Sequence, residues 1–494
     1  MPPLFDLLVV GGGIHGAAVA RDAARRGLSV VLAEKDDLAQ GTSSRSSKLV
    51  HGGIRYLETG QLGLVREALH ERAVLLRTAP HLVRPLPFVL PFQREDRGAR
   101  PPWVVRAGLA LYDLLSGAGR DEPGVLPRHR LLGPDEARAL EPGLPAAGLT
   151  GAALFHDARM DDARLVVAHA VDAATNGARV LVRTAVTALT PGTAGAWRAT
   201  LAAGDAIEAR LVVNAAGPWA DRVRALAAAG TGRGAGAAPA IRPTRGSHVV
   251  VPALTRDHAL LLFAADRRVF FVVPWGARSL VGTTDDDFAG DPGDVAPEAS
   301  DLRLLRGEIE RRWPGRGGPV ARAFAGLRPL LARGRPGLSL PWRNTREARL
   351  LDEDGILSIV GGKYTTARRL AERAVDRAVA RLEAEGRARP CDTATAALPA
   401  RPWEAAAASL AAEPAIDEPT VRHADEHEFA RGAGDVIWRR SPLWLDRAAA
   451  RAAAPRVAAW MAPLLSWSDA TRAAEESAVL EACDEEERWL AAAT

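Results

Sequence analysis

The sequence predicts an α/β protein of more than one domain, and three observations support this fold class. An apolar strand at residues 7–10, a glycine-rich turn, a helix and a second strand ending at Glu34 follow one another in the order of a βαβ unit. Strand-like segments dominate residues 241–340 and are typical of an antiparallel sheet. The length of 494 residues exceeds what one hydrophobic core usually organises.

Local patterns predict the remaining elements in chain order. Residues 61–79 have the apolar spacing of a helix, residues 84–102 are proline-rich and predict an excursion towards a second domain, and residues 102–115 predict a short apolar helix. Helix and strand patterns alternate again over residues 148–220. The acidic run GTTDDDF predicts a turn after a strand and not a metal site.

Three domains follow from this order of elements. A late strand, LSIVGG, and the long helix after it return to the first domain, whereas the chain beyond Pro390 is rich in alanine, tryptophan and arginine and helical in pattern. The predicted boundaries are 1–80, 148–235 and 346–388 for a discontinuous first domain, 81–147 and 236–345 for a second, and 389–494 for a C-terminal helical domain.

Composition excludes several classes of function. The net charge is only +4 and the arginines are scattered, so nucleic acid is not an expected partner. Cys391 and Cys483 are the only cysteines, too few for a disulfide framework, a cysteine-rich zinc site or an iron–sulfur cluster, and no metal is expected. Neither a signal peptide nor an apolar run of about 20 residues is evident, so we expect a cytoplasmic protein with at most peripheral membrane contact.

The strongest motif is a dinucleotide-binding fingerprint. Gly11, Gly13 and Gly16 form G-x-G-x-x-G between a strand and a helix, where missing side chains let backbone amides approach a pyrophosphate. Glu34 ends the second strand, where a carboxylate can bind the ribose hydroxyls. The strand, turn, helix and acid together predict a dinucleotide site.

Two further loops favour a flavin dinucleotide over a nicotinamide one. Only three lysines occur in the chain, and two of them lie in loops rich in small residues, Lys48 in GTSSRSSKLVHGG and Lys363 in GGKYTT. The second loop opens a long helix whose N-terminal dipole could stabilise negative charge on a reduced flavin. The predicted cofactor is FAD, and the candidates in these loops and in the turn NAAGPWAD are Thr42, Ser43, Ser47, Lys48, Gly217, Gly362, Lys363 and Thr365.

Together the motifs resemble a known family. LLVVGGGIHGAAVARDAARRGLSVVLAEKDDLAQGTSSRSSKLVHGGIRYLE, VVNAAGPWAD, VVPWGARSLVGTTD, AGLRPLL and VGGKYTTARRLAE are similar to segments of the FAD-dependent glycerol-3-phosphate dehydrogenases, over about residues 4–385. The resemblance implies a Rossmann-type FAD domain of the glycine oxidase/D-amino-acid oxidase type, an antiparallel substrate domain and a C-terminal helical cap. It also implies oxidation of sn-glycerol 3-phosphate to dihydroxyacetone phosphate.

The partners implied by the resemblance are membrane ones. Electrons are expected to pass to ubiquinone or menaquinone, with the protein on the inner face of the cytoplasmic membrane as a peripheral protein. The short apolar helix carries Trp103, Arg106, Leu109 and Leu111, which fit either an interfacial anchor or core packing, and the resemblance favours the anchor. A second copy of the chain, in a homodimer, is a further candidate partner.

Substrate-site candidates are carried over from the family motifs. Arg55, Arg328 and Arg346 match cationic positions of the substrate pocket, with Arg346 the best match to a phosphate clamp. His51 and His248 are alternative bases for the hydroxyl proton. In addition, Tyr56 and Tyr364 could bind substrate or only pack, Lys363 could stabilise reduced flavin or a substrate oxygen, and Lys48 could support the FAD loop.

Two other functions stay open at this point. An amine or amino-acid oxidase would share the fold, although it needs one arginine for a carboxylate and not a cluster of three. A flavin-binding relative without catalysis is the other, because the chain beyond about residue 400 lacks helices that the family's C-terminal domain usually has.

Overall fold

The structure, a computed structural model, describes residues 3–58, 60–94, 100–145, 147–232, 238–264, 266, 268–332, 348–353, 355–403 and 415–493. In chain order, the strands of these residues are β1 (Leu4–Val10), β2 (Val30–Ala33), β3 (Leu49–Val50), β4 (Val83–Gln93), β5 (Arg130–Leu132), β6 (Leu149–Met160), β7 (Arg179–Leu181), β8 (Val186–Pro191), β9 (Trp197–Leu201), β10 (Ala206–Asn214), β11 (Ile241–Pro252), β12 (Ala259–Phe263), β13 (Val269–Trp275), β14 (Arg278–Gly282), β15 (Asp286–Asp287), β16 (Arg322–Leu331), β17 (Arg349–Glu353) and β18 (Ile356–Val360). The helices are α1 (Ile14–Arg25), α2 (Leu62–Thr78), α3 (Pro102–Ser116), α4 (Pro134–Leu140), α5 (Asp162–Thr175), α6 (Ala220–Gly230), α7 (Ala299–Arg312), α8 (Ala367–Arg381), α9 (Glu418–Glu428), α10 (Ala433–Arg439), α11 (Arg447–Leu464) and α12 (Asp469–Ala492).

The first sheet is parallel at its centre, in the order β18-β10-β1-β2-β7. Both faces of β1 are buried: Leu7 and Val9 pack in the layer that contains α1, α5 and α8, while Leu8 and Val10 pack with the core that includes Trp197. A strand covered on both faces needs apolar residues in succession, which explains the uninterrupted run LLVV. This arrangement is the predicted Rossmann-type domain.

The second sheet is mixed and largely antiparallel, in the order β15-β11-β14-β13-β12-β4-β6-β3, with β16 paired to β11. The proline-rich segment, predicted as an excursion towards the second domain, enters this sheet as strand β4, antiparallel to β6. Proline fixes φ at a value that extended backbone tolerates, and the intervening Leu86, Phe88 and Leu90 keep their N–H groups. Strand β6 therefore joins the second sheet, although the predicted boundary at residue 148 assigns it to the first domain.

The C-terminal helices α9 to α12 enclose a core of their own, which includes Val436, Val457 and Met461. Ion pairs tie this helical domain to the rest of the protein. Arg440 binds the buried Asp37, whose loop follows β2. The last helix contributes Glu486, which bonds the Ala323 amide of β16 at 2.6 Å.

Candidate active site

A cavity of about 480 Å³ lies between the two sheets. It opens where the parallel strands β1, β2, β10 and β18 end, which is where open α/β sheets bind ligands. Thirteen residues of its wall are ones that the sequence assigns to the site: Gly11, Gly13, Glu34, Thr42, Ser43, Ser47, His51, Gly217, His248, Arg328, Gly362, Lys363 and Thr365.

The glycine turn after β1 forms a cradle that side chains would fill. At Gly11, φ is +110° and a Cβ atom would lie 2.7 Å from the Ala215 carbonyl oxygen. A Cβ atom on Gly16 would overlap the Gly11 carbonyl oxygen, so Gly16 lets α1 pack against the turn instead of lining the cavity. The Ile14 amide at the start of α1 donates to Ser43 Oγ at 3.0 Å, so the neighbouring loop caps this helix.

Glu34 lies at the end of β2 with its carboxylate in the cavity wall. The amides of Gly12 and Asp36 donate to its two oxygens at 2.5 and 2.9 Å. Burial, the largest contribution, raises the pKa of Glu34, and the two amide hydrogen bonds oppose that rise. Each oxygen retains a lone pair with which to accept a ribose hydroxyl.

The loop after β2 joins the two sheets through its side chains. Thr42 Oγ1 donates to the Leu327 carbonyl at 2.7 Å, and Ser47 Oγ lies 2.9 Å from His248 Nε2. Lys48 is buried outside the cavity wall, where its ammonium binds Asp162 and lies 4.0 Å from the Trp444 ring centroid. Lys48 thus supports the loop, and the structure gives it no place in the cavity.

The third loop lies between β18 and α8. Gly362 has a φ of +98°, and a Cβ atom there would lie 2.8 Å from the ring of His15. The Lys363 ammonium lies 3.7 Å from the centroid of the Tyr56 ring. The His51 amide donates to Thr365 Oγ1 at 3.3 Å, which ties this loop to the one that carries His51.

His248 occupies a different environment from His51. It lies on β11, is 2% exposed, and stacks on Phe324 with 5.1 Å between ring centroids. Burial lowers the pKa of His248 to about 3, and the charges of Arg328 and Lys48 add to the decrease. His51 is only partly buried and also lines the cavity.

The three arginines predicted for the substrate site differ in their position relative to the cavity. Arg328 on β16 lines the cavity and binds Asp285 at 3.0 Å. Arg55 is exposed on the turn Ile54–Leu57 and does not line the cavity, whereas the ring of the neighbouring Tyr56 contacts the cavity residue Lys363. Arg346 lies outside the described residues.

His15 and Arg45 are among the residues of the cavity wall that sequence reasoning missed. His15 stands inside the glycine motif, which was the available signal, and burial lowers its pKa to about 4 against an opposing bond to the Lys363 backbone. Burial also lowers the pKa of Arg45 to about 10, with Arg322 and Arg439 contributing. Tyr364 packs in the wall and donates its hydroxyl to the Asp162 carbonyl.

The residues present fit FAD. One continuous cavity is lined by the glycine turn, where a Cβ atom on Gly11 would clash, by the Glu34 carboxylate and by Lys363 in the third loop. An extended dinucleotide with a flavin ring requires these three features in one cavity.

Comparisons with known proteins agree with this geometry. A family model described as FAD dependent oxidoreductase matches residues 6–368, and one described as C-terminal domain of alpha-glycerophosphate oxidase matches residues 361–472. A D-erythritol 1-phosphate dehydrogenase of Brucella abortus is 44% identical over 391 residues, 76% of this chain and 74% of that protein. A glycerol-3-phosphate dehydrogenase of Pseudomonas aeruginosa is 40% identical over 390 residues, 75% of this chain and 71% of that protein.

Solved structures show the same fold. The glycerol-3-phosphate dehydrogenase of Bacillus halodurans complexed with FAD superposes with a TM-score of 0.73 at 24% identity, over 97% of this chain and 94% of that one. The glycine oxidase of Geobacillus kaustophilus has a TM-score of 0.57 at 23% identity, over 76% of this chain and 95% of that one. The predicted fold class is confirmed, and the chain belongs to the FAD-dependent oxidoreductases, with FAD as its cofactor.

Proposed function

We propose that this protein oxidises sn-glycerol 3-phosphate to dihydroxyacetone phosphate and passes the electrons to a membrane quinone. The observation that carries the proposal is the convergence of His51, Arg328 and Lys363 on the cavity that fits FAD. An imidazole, a guanidinium and an ammonium are the groups that removal of a hydroxyl proton beside an anionic substrate requires. The dehydrogenase of Pseudomonas aeruginosa, 40% identical, supports this substrate.

FAD, when bound, supplies the acceptor for the hydride that leaves C2 of the substrate. His51 takes the hydroxyl proton as C2 becomes a carbonyl, because its ring lines the cavity while its backbone is held by Thr365. His248 is the weaker choice for this base, since burial lowers its pKa to about 3 and its Nε2 already faces Ser47. Lys363 and Arg328 stabilise negative charge at the reacting oxygen.

The phosphate group is assigned to Arg346 and Arg55, both of which remain sequence predictions. Arg55 is one residue before Tyr56, whose ring lies under the ammonium of the cavity residue Lys363, and this position supports the assignment. A guanidinium fork binds phosphate through paired charge-assisted hydrogen bonds.

We assign the membrane contact to helix α3, which exposes Trp103 (73%) and Leu114 (77%). Leu109, predicted as part of this anchor, is instead fully buried, because it faces the core beneath the helix. Among the described residues no helix has both the length and the apolar character to cross a membrane. Replacing Trp103 and Leu114 by serine should reduce co-sedimentation with anionic vesicles, whereas Trp403→Ser, on another exposed tryptophan, should not.

A second candidate substrate is D-erythritol 1-phosphate. The Brucella abortus dehydrogenase named for it is 44% identical to this chain over 391 residues. Both candidates carry a secondary hydroxyl group and a phosphate ester, so the same residues would serve either.

The visible spectrum of the purified protein under anaerobic conditions tests the proposal. We expect the flavin absorbance to bleach on addition of sn-glycerol 3-phosphate and to recover when a soluble quinone is added. Bleaching by D-erythritol 1-phosphate alone would transfer the assignment to the second candidate. A flavin that neither substrate bleaches would contradict both.

A further inference from the structure

Within the described part of the chain, the segment between β14 and β15 supplies three acceptors for the Arg328 guanidinium. Its Nη1 donates to Asp285 Oδ1 at 3.0 Å. Its Nη2 donates to Thr283 Oγ1 at 2.8 Å and to the Thr284 carbonyl at 3.2 Å. Acceptors thus reach both terminal nitrogens of one side chain, so its direction is fixed before substrate arrives.

The backbone on the opposite side of the guanidinium leaves room for it. Gly246 on β11 lies two residues after Thr244, the cross-strand partner of Arg328, and a Cβ atom there would meet both Arg328 Nη atoms. The same Cβ atom would lie 2.5 Å from Thr283 Oγ1. Only glycine therefore lets Arg328 and its threonine partner occupy their positions together.

The ion pair between Arg328 and Asp285 is too exposed to contribute much to the stability of the fold. The Arg328 side chain is 19% exposed and that of Asp285 is 31% exposed. Partly solvated pairs of this kind contribute little to the free energy of folding. An aspartate beside the cation would also repel a phosphate dianion, since like charges at close range oppose one another even at an intermediate dielectric.

The fixed N–H groups of Arg328 can serve as hydrogen-bond donors to the reacting oxygen of the substrate. Arg328 lies close enough to His248 for its charge to act on that ring, and both residues line the cavity together with His51. The oxygen that loses its proton to a base gains negative charge in the transition state, and a donor held in advance stabilises that charge most effectively. A pre-oriented guanidinium suits this task better than the capture of a mobile dianion.

We propose that Asp285 is a positioning residue, which holds Arg328 as an oriented donor to the reacting oxygen of the substrate and directs it away from the phosphate group. The inference rests on the proposed function and deepens it. Phosphate recognition is then left to cations elsewhere in the site.

The test compares Asp285→Asn with Asp287→Asn in the FAD-loaded full-length protein. Asp287 stands in the same acidic run, and its carboxylate binds Arg242 at 2.5 Å on the exposed strand β15. Two quantities are measured: the limiting rate of flavin reduction by sn-glycerol 3-phosphate, and the dissociation constant of dihydroxyacetone phosphate from its perturbation of the oxidised flavin spectrum. Asp285→Glu, which keeps the charge, is the rescue variant.

For Asp285→Asn we expect a limiting reduction rate about tenfold lower, because small misplacement of a catalytic donor is costly. The dissociation constant should be unchanged or lower, because a negative charge beside the cation has been removed. Asp285→Glu should recover part of the rate, and Asp287→Asn should match the wild type. A dissociation constant that changes while the limiting rate does not would make Arg328 a phosphate ligand and overturn the inference, as would an Asp285→Asn protein identical to wild type.

Failure of the proposed function has a separate signature. In that case sn-glycerol 3-phosphate would not reduce the wild-type flavin, and the comparison of rates would be made with D-erythritol 1-phosphate. If the Asp285→Asn protein does not retain FAD, Thr283→Val replaces it in the test, because this substitution removes a different acceptor of Arg328 without changing charge. The inference then requires that Thr283→Val lower the limiting rate of flavin reduction.

Discussion

At the scale of single residues, the two loop lysines have unlike environments. The Lys48 ammonium bonds Asp162 and the Ser44 carbonyl in a buried position, whereas the Lys363 ammonium lies over the Tyr56 ring in the cavity wall. Arginine is the commoner cation of this chain, and its wide planar group would not fit where a compact ammonium on a flexible stem does. One lysine is therefore buried in the supporting loop, and the other lies in the cavity wall.

Replacing Lys48 by methionine should lower the free energy of unfolding by about 3 kcal/mol, because the buried Asp162 loses its charged partner. Urea unfolding followed by circular dichroism measures the change. Lys35→Met is the control, since Lys35 pairs with Asp36 at an exposed position and should change stability by less than about 1 kcal/mol. Equal effects of the two substitutions would remove the structural role from Lys48.

Replacing His51 by glutamine should slow flavin reduction by sn-glycerol 3-phosphate about a hundredfold while FAD remains bound, because a general base is lost and the size of the side chain is kept. Anaerobic stopped-flow absorbance measures the rate. His248→Gln, on the ring whose pKa is about 3, should have the smaller effect. The opposite ranking would assign the base to His248.

At the scale of elements, the unit formed by β1, the glycine turn and α1 carries the cofactor site. The strand register sets Val10 opposite Ala33 and Asn214, so the three chain ends beyond them meet at one edge of the sheet. Close packing of α1 against the turn depends on Gly16, which touches the Gly11 carbonyl. The antiparallel sheet completes the site by presenting His248 and Arg328 from adjacent strands.

Gly16→Ala should abolish FAD retention, because the new methyl group overlaps the Gly11 carbonyl and pushes α1 away from the turn. The ratio of flavin to protein absorbance after gel filtration measures the loss. Gly307→Ala in α7 is the matched control: a Cβ atom there meets nothing within 4 Å, and the substitution should leave FAD bound and stabilise the helix by about 0.5 to 1 kcal/mol. A Gly16→Ala protein with full FAD content would contradict the packing described here.

At the scale of the whole molecule, buried ion pairs join the C-terminal helices to the FAD domain. Arg439 and Arg440 bind Asp37, and Glu428 binds Arg164 of α5 as well as Arg401. Trp444 packs edge-on against Trp275 of the second sheet at 5.2 Å between centroids. The helical domain thus contacts both sheets, and its attachment depends on charges that acid can remove.

Burial alone would raise the pKa of Asp37, but Arg440 and Arg439 outweigh it and lower the pKa to about 2 from an ordinary value of 3.8. Because the folded-state pKa is the lower one, the stabilisation is complete above about pH 4 and is lost as the pH falls towards 2. The shift corresponds to about 2 kcal/mol. The difference in the free energy of unfolding between wild type and Asp37→Asn should therefore shrink between pH 5 and pH 2.5.

Urea unfolding of both proteins at the two pH values measures this difference in the free energy of unfolding. Asp469→Asn serves as the control, because that side chain is fully exposed at the start of α12 and its substitution should have the same small effect at either pH. A gap between wild type and Asp37→Asn that stays constant with pH would contradict the assignment.

The sequence by itself determined the fold class and the cofactor, and it predicted where that cofactor binds. A strand, three spaced glycines, a helix and a terminal acid specify one local geometry, since each residue acts on neighbours a few positions away. Local pattern was also sufficient for helices α2 and α3, whose predicted ranges agree with the observed ones to within a few residues.

Only the tertiary structure decided which elements and side chains meet. The residue pattern of β6 does not indicate which sheet it joins, and its long pairing with β4 assigns it to the second. Nothing in the run of three aspartates distinguishes Asp285, which reaches Arg328, from Asp287, which reaches Arg242. Helical periodicity likewise did not reveal that Leu109 faces the core while Leu114 faces solvent. The physical reason is that partners far apart in the chain are selected by strand register and packing, which local propensity does not encode.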